Sequence, residues 1–263
     1  MANIHPTALV DSKAELDDTV EVGAYTVIGP QVKIGSGTKI GPHVVIQGHT
    51  TIGSDNRIFQ FASIGAEPQD KKYAGEATAL EIGNRNTIRE FCTFNTGTAQ
   101  DVGVTRLGDD NWMMAYVHLA HDCQIGNNTV FANNVQLGGH VRIEDWVILG
   151  GATLVHQHCQ VGAHAMLRGG TGLGQDVPPF MMVSGLPAST HGINTEGLRR
   201  RGFTQEQIDL LRKAYRILYR SGLTLEEAKT ALEAEEKTAN TADAVHIETL
   251  RKFLDSATRG IVR

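Results

Sequence analysis

Every sixth residue from Ile4 to Ile64 is aliphatic: Ile4, Val10, Leu16, Val22, Ile28, Ile34, Ile40, Ile46, Ile52, Ile58 and Ile64. The frame resumes at Ile82, Ile88 and Phe94. It then runs from Leu107 through Met113, Leu119, Ile125, Phe131, Leu137, Ile143, Leu149, Val155, Val161 and Leu167 to Leu173. With 41% of residues hydrophobic, eleven successive hits have a chance of about 5 × 10⁻⁵. A period of six matches neither a helix nor a simple strand. It fits one short strand plus one turn, with a single large apolar side chain pointing inward. Three such flats close a triangular coil of about 18 residues, so the chain reads as a solenoid. The fourth residue after each aliphatic is small or β-branched at Ala8, Ala14, Val20, Thr26, Val32, Thr38, Val44, Thr50 and Ala62, which suits a second, shallower inward position. Gly23, Gly29, Gly35, Gly41 and Gly53 follow the aliphatic, where a tight corner is expected to need permissive backbone. About ten coils at ~4.8 Å spacing predict a prism on the order of 45–50 Å tall.

The frame breaks twice. Between Ile64 and Ile82 lies the polar stretch AEPQDKKYAGEATALE, and between Phe94 and Leu107 the spacing is thirteen, read as twelve plus one, around TGTAQDVGVT. Both are expected to be extruded loops, favoured places for binding groups. After about Thr190 the period changes. Thr204 with Gln207 forms a capping box ahead of an apolar stripe that Gly222 ends. A second helix is expected from Thr224 and a third over roughly Thr241 to Ser256. The expected architecture is mainly β: a parallel β-helix over 1–190 and a C-terminal α-helical domain over 191–263.

Composition narrows the function. A net charge of −5 argues against nucleic acid as a partner. No stretch approaches the ~18 apolar residues needed to span a membrane, and the N-terminal MANIHPTALV lacks the pattern of a signal peptide. Cys92, Cys123 and Cys159 are an odd set. The last two stand two coils apart, ~9–10 Å, too far to bridge. Reduced thiols and a cytoplasmic location are expected. Basic residues cluster at LRRRGF and at Arg212, Lys213, Arg216 and Arg220, which suggests an anionic ligand or partner, or else a solvated helix face.

Seven of the eleven histidines lie between His118 and His191. In an 18-residue frame His140 and His158 stack, and His121 sits one step off that column. His118, His121, His140 and His156 can converge on one cleft. Asp122 follows His121 directly, and a carboxylate beside an imidazole holds its tautomer and stabilises the protonated form a general base needs. Three converging histidines could instead ligate zinc, as in solenoid hydratases, although the close pair here is three apart rather than five.

The chain resembles the bacterial acyl-(acyl-carrier-protein)–UDP-N-acetylglucosamine O-acyltransferases, which open lipid A biosynthesis. The resemblance rests on NIHPTALV (Asn3–Val10), GHTTIGSDNRIFQFASIG (Gly48–Gly65), QDKKYAGE (Gln69–Glu76), IGNRNTIREF (Ile82–Phe91), HLAHDCQIGN (His118–Asn127), GGHV (Gly138–Val141), VHQHCQVGAHAM (Val155–Met166) and GINTEGLRRRGF (Gly192–Phe203). The hexapeptide period alone is specific only to the fold; HxxHDC together with NxEGLxRRGF is specific to the family.

The resemblance implies a left-handed parallel β-helix and a homotrimer with sites between neighbouring subunits. It implies His121 as the base that takes the proton from the sugar 3-hydroxyl, Asp122 as its orienting carboxylate, and the Gly139 N–H as oxyanion donor. Asp70 and Lys72 fall on contacts to the sugar or the carrier arm. His118, His140, His156 and Gln157 would line the cleft, and Asn194, Glu196, Arg200 and Arg201 would hold the uridine diphosphate end. The donor would be a 3-hydroxyacyl chain on acyl carrier protein and the acceptor UDP-N-acetylglucosamine, with no cofactor, no metal and no acyl-enzyme. Gly169 falls where family members set acyl length, and a glycine there implies a chain of around fourteen carbons. Arg168 beside it could close that groove. Asn95 and Thr96 depart from the family's usual His-Arg pair. Acetyl-CoA-dependent sugar transferases and the zinc hydratases of the same fold are the alternatives.

Overall fold

In the computed structural model, which describes residues 1–263 apart from the side chains of Thr241 and Ala242, the hexad folds as a strand of mostly two residues and a turn. Three parallel sheets form the faces of a triangular prism. The first starts at Asn3–Ile4, the second at Leu9–Val10 and the third at Glu15–Leu16. In an uninterrupted coil each strand residue pairs with the residue 18 positions on, Ile4 with Val22 and Val10 with Ile28. The first face carries nine parallel strands before a hairpin, Met181–Ser184 antiparallel to Ser189–Ile193, closes it.

The inward assignment of the frame holds from Val22 to Leu173, all buried, while the first coil is partly open to solvent. The shallower positions Val20, Thr26, Val32, Thr38, Val44, Thr50 and Ala62 are buried too. Where these are threonines the hydroxyl donates inside the coil, Thr26 to the Gly41 carbonyl at 2.7 Å and Thr38 to that of Gly53 at 2.9 Å. Buried hydroxyls satisfied in this way cost little.

The glycines after the aliphatics are there for a different reason than expected. None of Gly23, Gly29, Gly35, Gly41 and Gly53 has a positive φ. The left-handed residue of each turn comes two positions later, for example Tyr25, His43, Asp55 and Phe61. A Cβ on Gly23 would instead lie 2.7 Å from the Gly41 backbone, and one on Gly53 2.6 Å from the Gly83 carbonyl. Close approach of successive coils selects glycine at Gly23, Gly35, Gly41 and Gly53, whereas a Cβ on Gly29 would meet nothing nearer than 3.5 Å.

The second frame break is also larger than the spacing suggests. Ile82 pairs with both Ile52 and Leu107, so Phe94 to Leu107 is a single step with a seven-residue insertion, not two steps with one extra residue. Both insertions, 67–78 and 96–103, leave the prism at the corner between the second and third faces. At the corner between the first and second faces, Tyr25, His43, Phe61, Phe91 and Tyr116 form a stacked ladder with centroids 4.8–5.3 Å apart.

The C-terminal segment has four helices rather than three. A short α1 (Thr195–Arg200) precedes α2 (Gln205–Arg220), α3 (Leu225–Thr238) and α4 (Thr241–Ser256). The expected Thr204–Gln207 capping box is present, and Thr224–Glu227 forms a second. The chain end returns to the last coil: the buried Asp176 carboxylate accepts the N–H groups of Thr258 and Arg259, and the Asp176 carbonyl that of Val262. Among the described residues no helix is long and apolar enough to cross a membrane.

Candidate active site

Five successive turns at the corner between the second and third faces carry most of the chemistry anticipated from the sequence. From the bottom they are the loop 67–78 with Asp70 and Lys72, the loop 96–103, and the turn with His121 and Asp122. The turn with Gly139 and His140 follows, then the turn with His156, Gln157 and His158. The 18-residue register stacks them: the His140 N–H donates to the His121 carbonyl, and the His158 N–H to that of Gly139.

At the centre, His121 Nδ1 lies 3.0 Å from Asp122 Oδ2, and the Asp122 side chain is fully buried. A buried carboxylate is costly unless its lone pairs are filled. Here Thr98 donates its N–H at 3.0 Å and its hydroxyl at 2.6 Å, and the Gly103 N–H donates at 3.1 Å. The second inserted loop is therefore pinned by the carboxylate that orients His121. Because a carboxylate only accepts, Nδ1 of His121 carries the hydrogen and Nε2 is left as the base. Gly139 packs flat against that ring, since a Cβ on it would stand 2.5 Å from His121 Cε1. The Gly139 N–H has no acceptor among the described residues, which is what an oxyanion donor requires.

The neighbouring imidazoles differ. His118 bonds the Thr93 hydroxyl at 2.7 Å, and burial pushes its pKa down, with a smaller contribution in the same direction from His121. His140 stands edge-on to His121 with centroids 4.9 Å apart, and His158 stacks on His140 at 4.3 Å. Burial and then His140 and Arg259 push His158 down. His156 and Gln157 are exposed on the turn above. Asp70 closes a turn of its own loop by accepting the Lys72 N–H at 3.0 Å, and Lys72 is exposed. Beside these turns the second face holds an apolar groove of about 760 Å³. His118, Leu154, His156, Gly172, Leu186 and Pro187 are among its walls.

His121, Asp122 and His140 offer donor atoms close enough together to hold a cation. The Asp122 oxygens are already filled by four donors and His140 Nδ1 faces Asp101. The set fits proton transfer better than ligation.

The nucleotide-end candidates are elsewhere. Asn194 is buried: its Oδ1 caps α1 by accepting the Gly197 N–H at 3.2 Å, and its Nδ2 donates to the His164 carbonyl at 3.0 Å. Glu196 and Arg200 pair with each other at 3.0 Å on the exposed side of α1. Arg201 lies over the Trp146 ring at 5.4 Å, with Nη1 3.3 Å from His164 Nδ1. Burial first, then Arg201 and His246, push His164 down to about 4. All of these stand at the corner between the third and first faces, so the one chain does not gather them with His121.

Arg168 is exposed and points outward, and Gly169 is exposed at the remaining corner rather than on the apolar groove. Asn95, at the departure from the family pattern, is buried, and its Nδ2 ties down the first inserted loop through the Ala66 and Glu67 carbonyls. Thr96 bonds Thr78 at 3.1 Å. Sequence reasoning missed Thr98, Asp101 and Gly103, although all three lie in the stretch where the frame breaks. It also missed Trp146 and Leu186, for which no pattern in the sequence gave a sign.

Comparison with known proteins agrees with this geometry. The family model described as "Udp N-acetylglucosamine O-acyltransferase; Domain 2" matches residues 176–262, and the bacterial transferase hexapeptide model matches 105–139. The chain is 63% identical to the acyl-(acyl-carrier-protein)–UDP-N-acetylglucosamine O-acyltransferase of Herminiimonas arsenicoxydans and 60% identical to that of Thiobacillus denitrificans, each over all of both chains. It is similar to the solved UDP-N-acetylglucosamine O-acyltransferase of Moraxella catarrhalis, with a TM-score of 0.95, 44% identity and 99% of each chain covered. A likeness of that extent shows the fold to be the left-handed parallel β-helix with a C-terminal helical region.

Proposed function

We propose that this chain, which belongs to the acyl-(acyl-carrier-protein)–UDP-N-acetylglucosamine O-acyltransferase family, moves a 3-hydroxyacyl chain from acyl carrier protein to the 3-hydroxyl of UDP-N-acetylglucosamine, the opening step of lipid A biosynthesis. The observation that carries the reading is the His121–Asp122 pair set against the unpaired Gly139 N–H. His121 Nε2 removes the hydroxyl proton as the oxygen attacks the thioester carbonyl. Asp122 stabilises the imidazolium, and the Gly139 N–H meets the negative charge that develops on the carbonyl oxygen. The intermediate collapses with loss of the carrier thiolate, which takes the proton from His121. Neither a nucleophilic side chain nor a cofactor is used. Burial holds the three cysteine thiols well above their usual pKa: Cys92 and Cys123 about 12, Cys159 about 11. None of the three is a ready nucleophile.

The acyl chain takes the apolar groove on the second face, where each buried methylene contributes ~0.8 kcal/mol. We infer that the chain runs along this groove toward the corner between the first and second faces, where Gly169 stands exposed beyond the groove, and that its preferred length is near fourteen carbons; Gly169→Met is expected to shift it toward ten. Competition between ten- and fourteen-carbon donors tests this, and a wild type that already prefers ten refutes it.

The working unit is a homotrimer in which one subunit's His121 corner meets the Asn194–Arg201 segment of its neighbour. The separation of these two sets within one chain supports that arrangement. It predicts that His121→Ala and Arg200→Ala, each inactive or weak alone, regain activity when their subunits are mixed. No recovery would mean each chain holds a whole site. Arg212 and Lys213 on α2 are paired with Asp209 and Glu235. The remaining cations, Arg199, Arg216 and Arg220, are left to steer acidic acyl carrier protein. Turnover of 3-hydroxyacyl carrier protein with UDP-N-acetylglucosamine, against acetyl-CoA as donor, decides the reading as a whole.

A further inference from the structure

A second histidine–carboxylate pair stands beside the first. Asp101, on the loop 96–103, places Oδ2 2.5 Å from His140 Nδ1. The loop is fixed at both ends. The Thr96 and Gly97 N–H groups donate to the Ala66 and Ala79 carbonyls, and the Thr98 and Gly103 N–H groups to the Asp122 carboxylate. The Asp101 N–H itself bonds the Thr98 carbonyl at 3.3 Å. Asp122 thus both orients His121 and holds the loop that delivers Asp101. The two imidazoles are edge to face at 4.9 Å, and His140 Nδ1 is 3.9 Å from Asp122 Oδ2.

We propose that Asp101 is a positioning residue for the transferase site: its carboxylate fixes His140 as the Nδ1–H tautomer and locks its ring, so that Nε2 is presented to substrate. This rests on the acyl-transfer reading above for its consequence, though not for the bond itself. Three features carry it. A carboxylate accepts only, so the hydrogen of the pair belongs to Nδ1. Nε2 of His140 has no protein partner among the described residues. Stacking on His158 at 4.3 Å and 5° hinders rotation of the ring away from that bond. Asp101 and His140 also line one cavity of about 560 Å³ with Gln100, Gln124, Arg142 and His158, next to the His121 turn. Burial first, then His140 and Arg259, disfavour charge on His158.

Carboxylates that orient metal-bound histidines are worth about 10–100-fold, and a metal-free pair is expected at the low end. Asp101→Ala is expected to lower kcat/KM about tenfold, mostly through KM, while His121→Ala lowers kcat. Asp101→Asn keeps a carbonyl acceptor for Nδ1–H and should lose only about two- to threefold. The double variant Asp101→Ala with His140→Ala should be no worse than His140→Ala alone, because Asp101 acts through that ring. NMR of histidine-labelled protein should show a strongly downfield Nδ1–H signal that disappears in His140→Ala and Asp101→Ala. Asp101→Ala with unchanged kinetics, or with a loss that multiplies on top of His140→Ala, overturns the proposal, and so does a signal that survives Asp101→Ala. Absence of wild-type turnover would instead defeat the acyl-transfer reading, and the NMR signal would still decide whether the pair exists.

Discussion

Two corners of the same prism treat histidine in opposite ways. Between the second and third faces His121 and His140 each face a carboxylate, Asp122 at 3.0 Å and Asp101 at 2.5 Å. Between the third and first faces His164 faces a guanidinium, with Arg201 Nη1 at 3.3 Å. The backbone is alike in both: His140 and His164 both have φ near +62°. The difference lies in what the turns above and below contribute. A carboxylate lets an imidazole take up a proton during reaction, whereas burial and Arg201 keep His164 neutral down to about pH 4. One corner sets carboxylates against its imidazoles, and the other packs an arginine against rings.

The sharpest way to break this contrast is His121→Ala. It should cost about 10²–10⁴ in kcat with nucleotide binding intact, because a general base is lost while Thr98 and Gly103 still fill the Asp122 carboxylate. Near-normal turnover, read by product formation under saturating substrate, would remove the proton-moving role from that corner. Next is Gly139→Ala. The new methyl would sit 2.5 Å from His121 Cε1, so the ring must swing aside. A displacement of that order is worth up to about 10² in rate, and thermal unfolding should change little. A fully active Gly139→Ala would show that the ring position does not matter.

The smallest effect belongs to the other corner. His164 binds its proton in the unfolded chain near 6.5 but in the fold only near 4. Between those values the unfolded state holds more protons, so stability falls as pH drops from 6.5 toward 4. The full shift is discounted for partial exposure, and about 1–2 kcal/mol is expected to be lost. His164→Asn should flatten the dependence of Tm on pH between 7 and 5, relative to wild type. An unchanged slope would place the acid sensitivity elsewhere, with His118 the next candidate because burial lowers it as well.

The frame from Val22 to Leu173 was readable because each coil asks the same thing of each sixth position, and one large aliphatic answers it. The stack of His140 on His158 followed from the same arithmetic. Other features did not. The seven-residue insertion reads as one extra residue, because thirteen is close to two hexads and only the pairing of Leu107 with Ile82 separates the two cases. The glycines after the aliphatics were assigned to backbone freedom, yet the neighbouring coil decides all but Gly29, and that neighbour is 18 residues away in sequence. Asn194 looked like a ligand contact and is a buried helix cap as well. Asp101 sat in plain view in the broken frame, but nothing in its neighbours along the chain shows that it reaches His140.

Both insertions leave the prism at one edge, yet Ile52, Ile82 and Leu107 remain stacked as if nothing had been added. Growth at that edge is therefore uncoupled from the interior. The twelve and seven residues added there leave the interior register as it is in an uninterrupted coil. A change of length in either loop would leave the ladder from Tyr25 to Tyr116 on another edge in place, and the second loop has only to keep Thr98 and Gly103 on the Asp122 carboxylate.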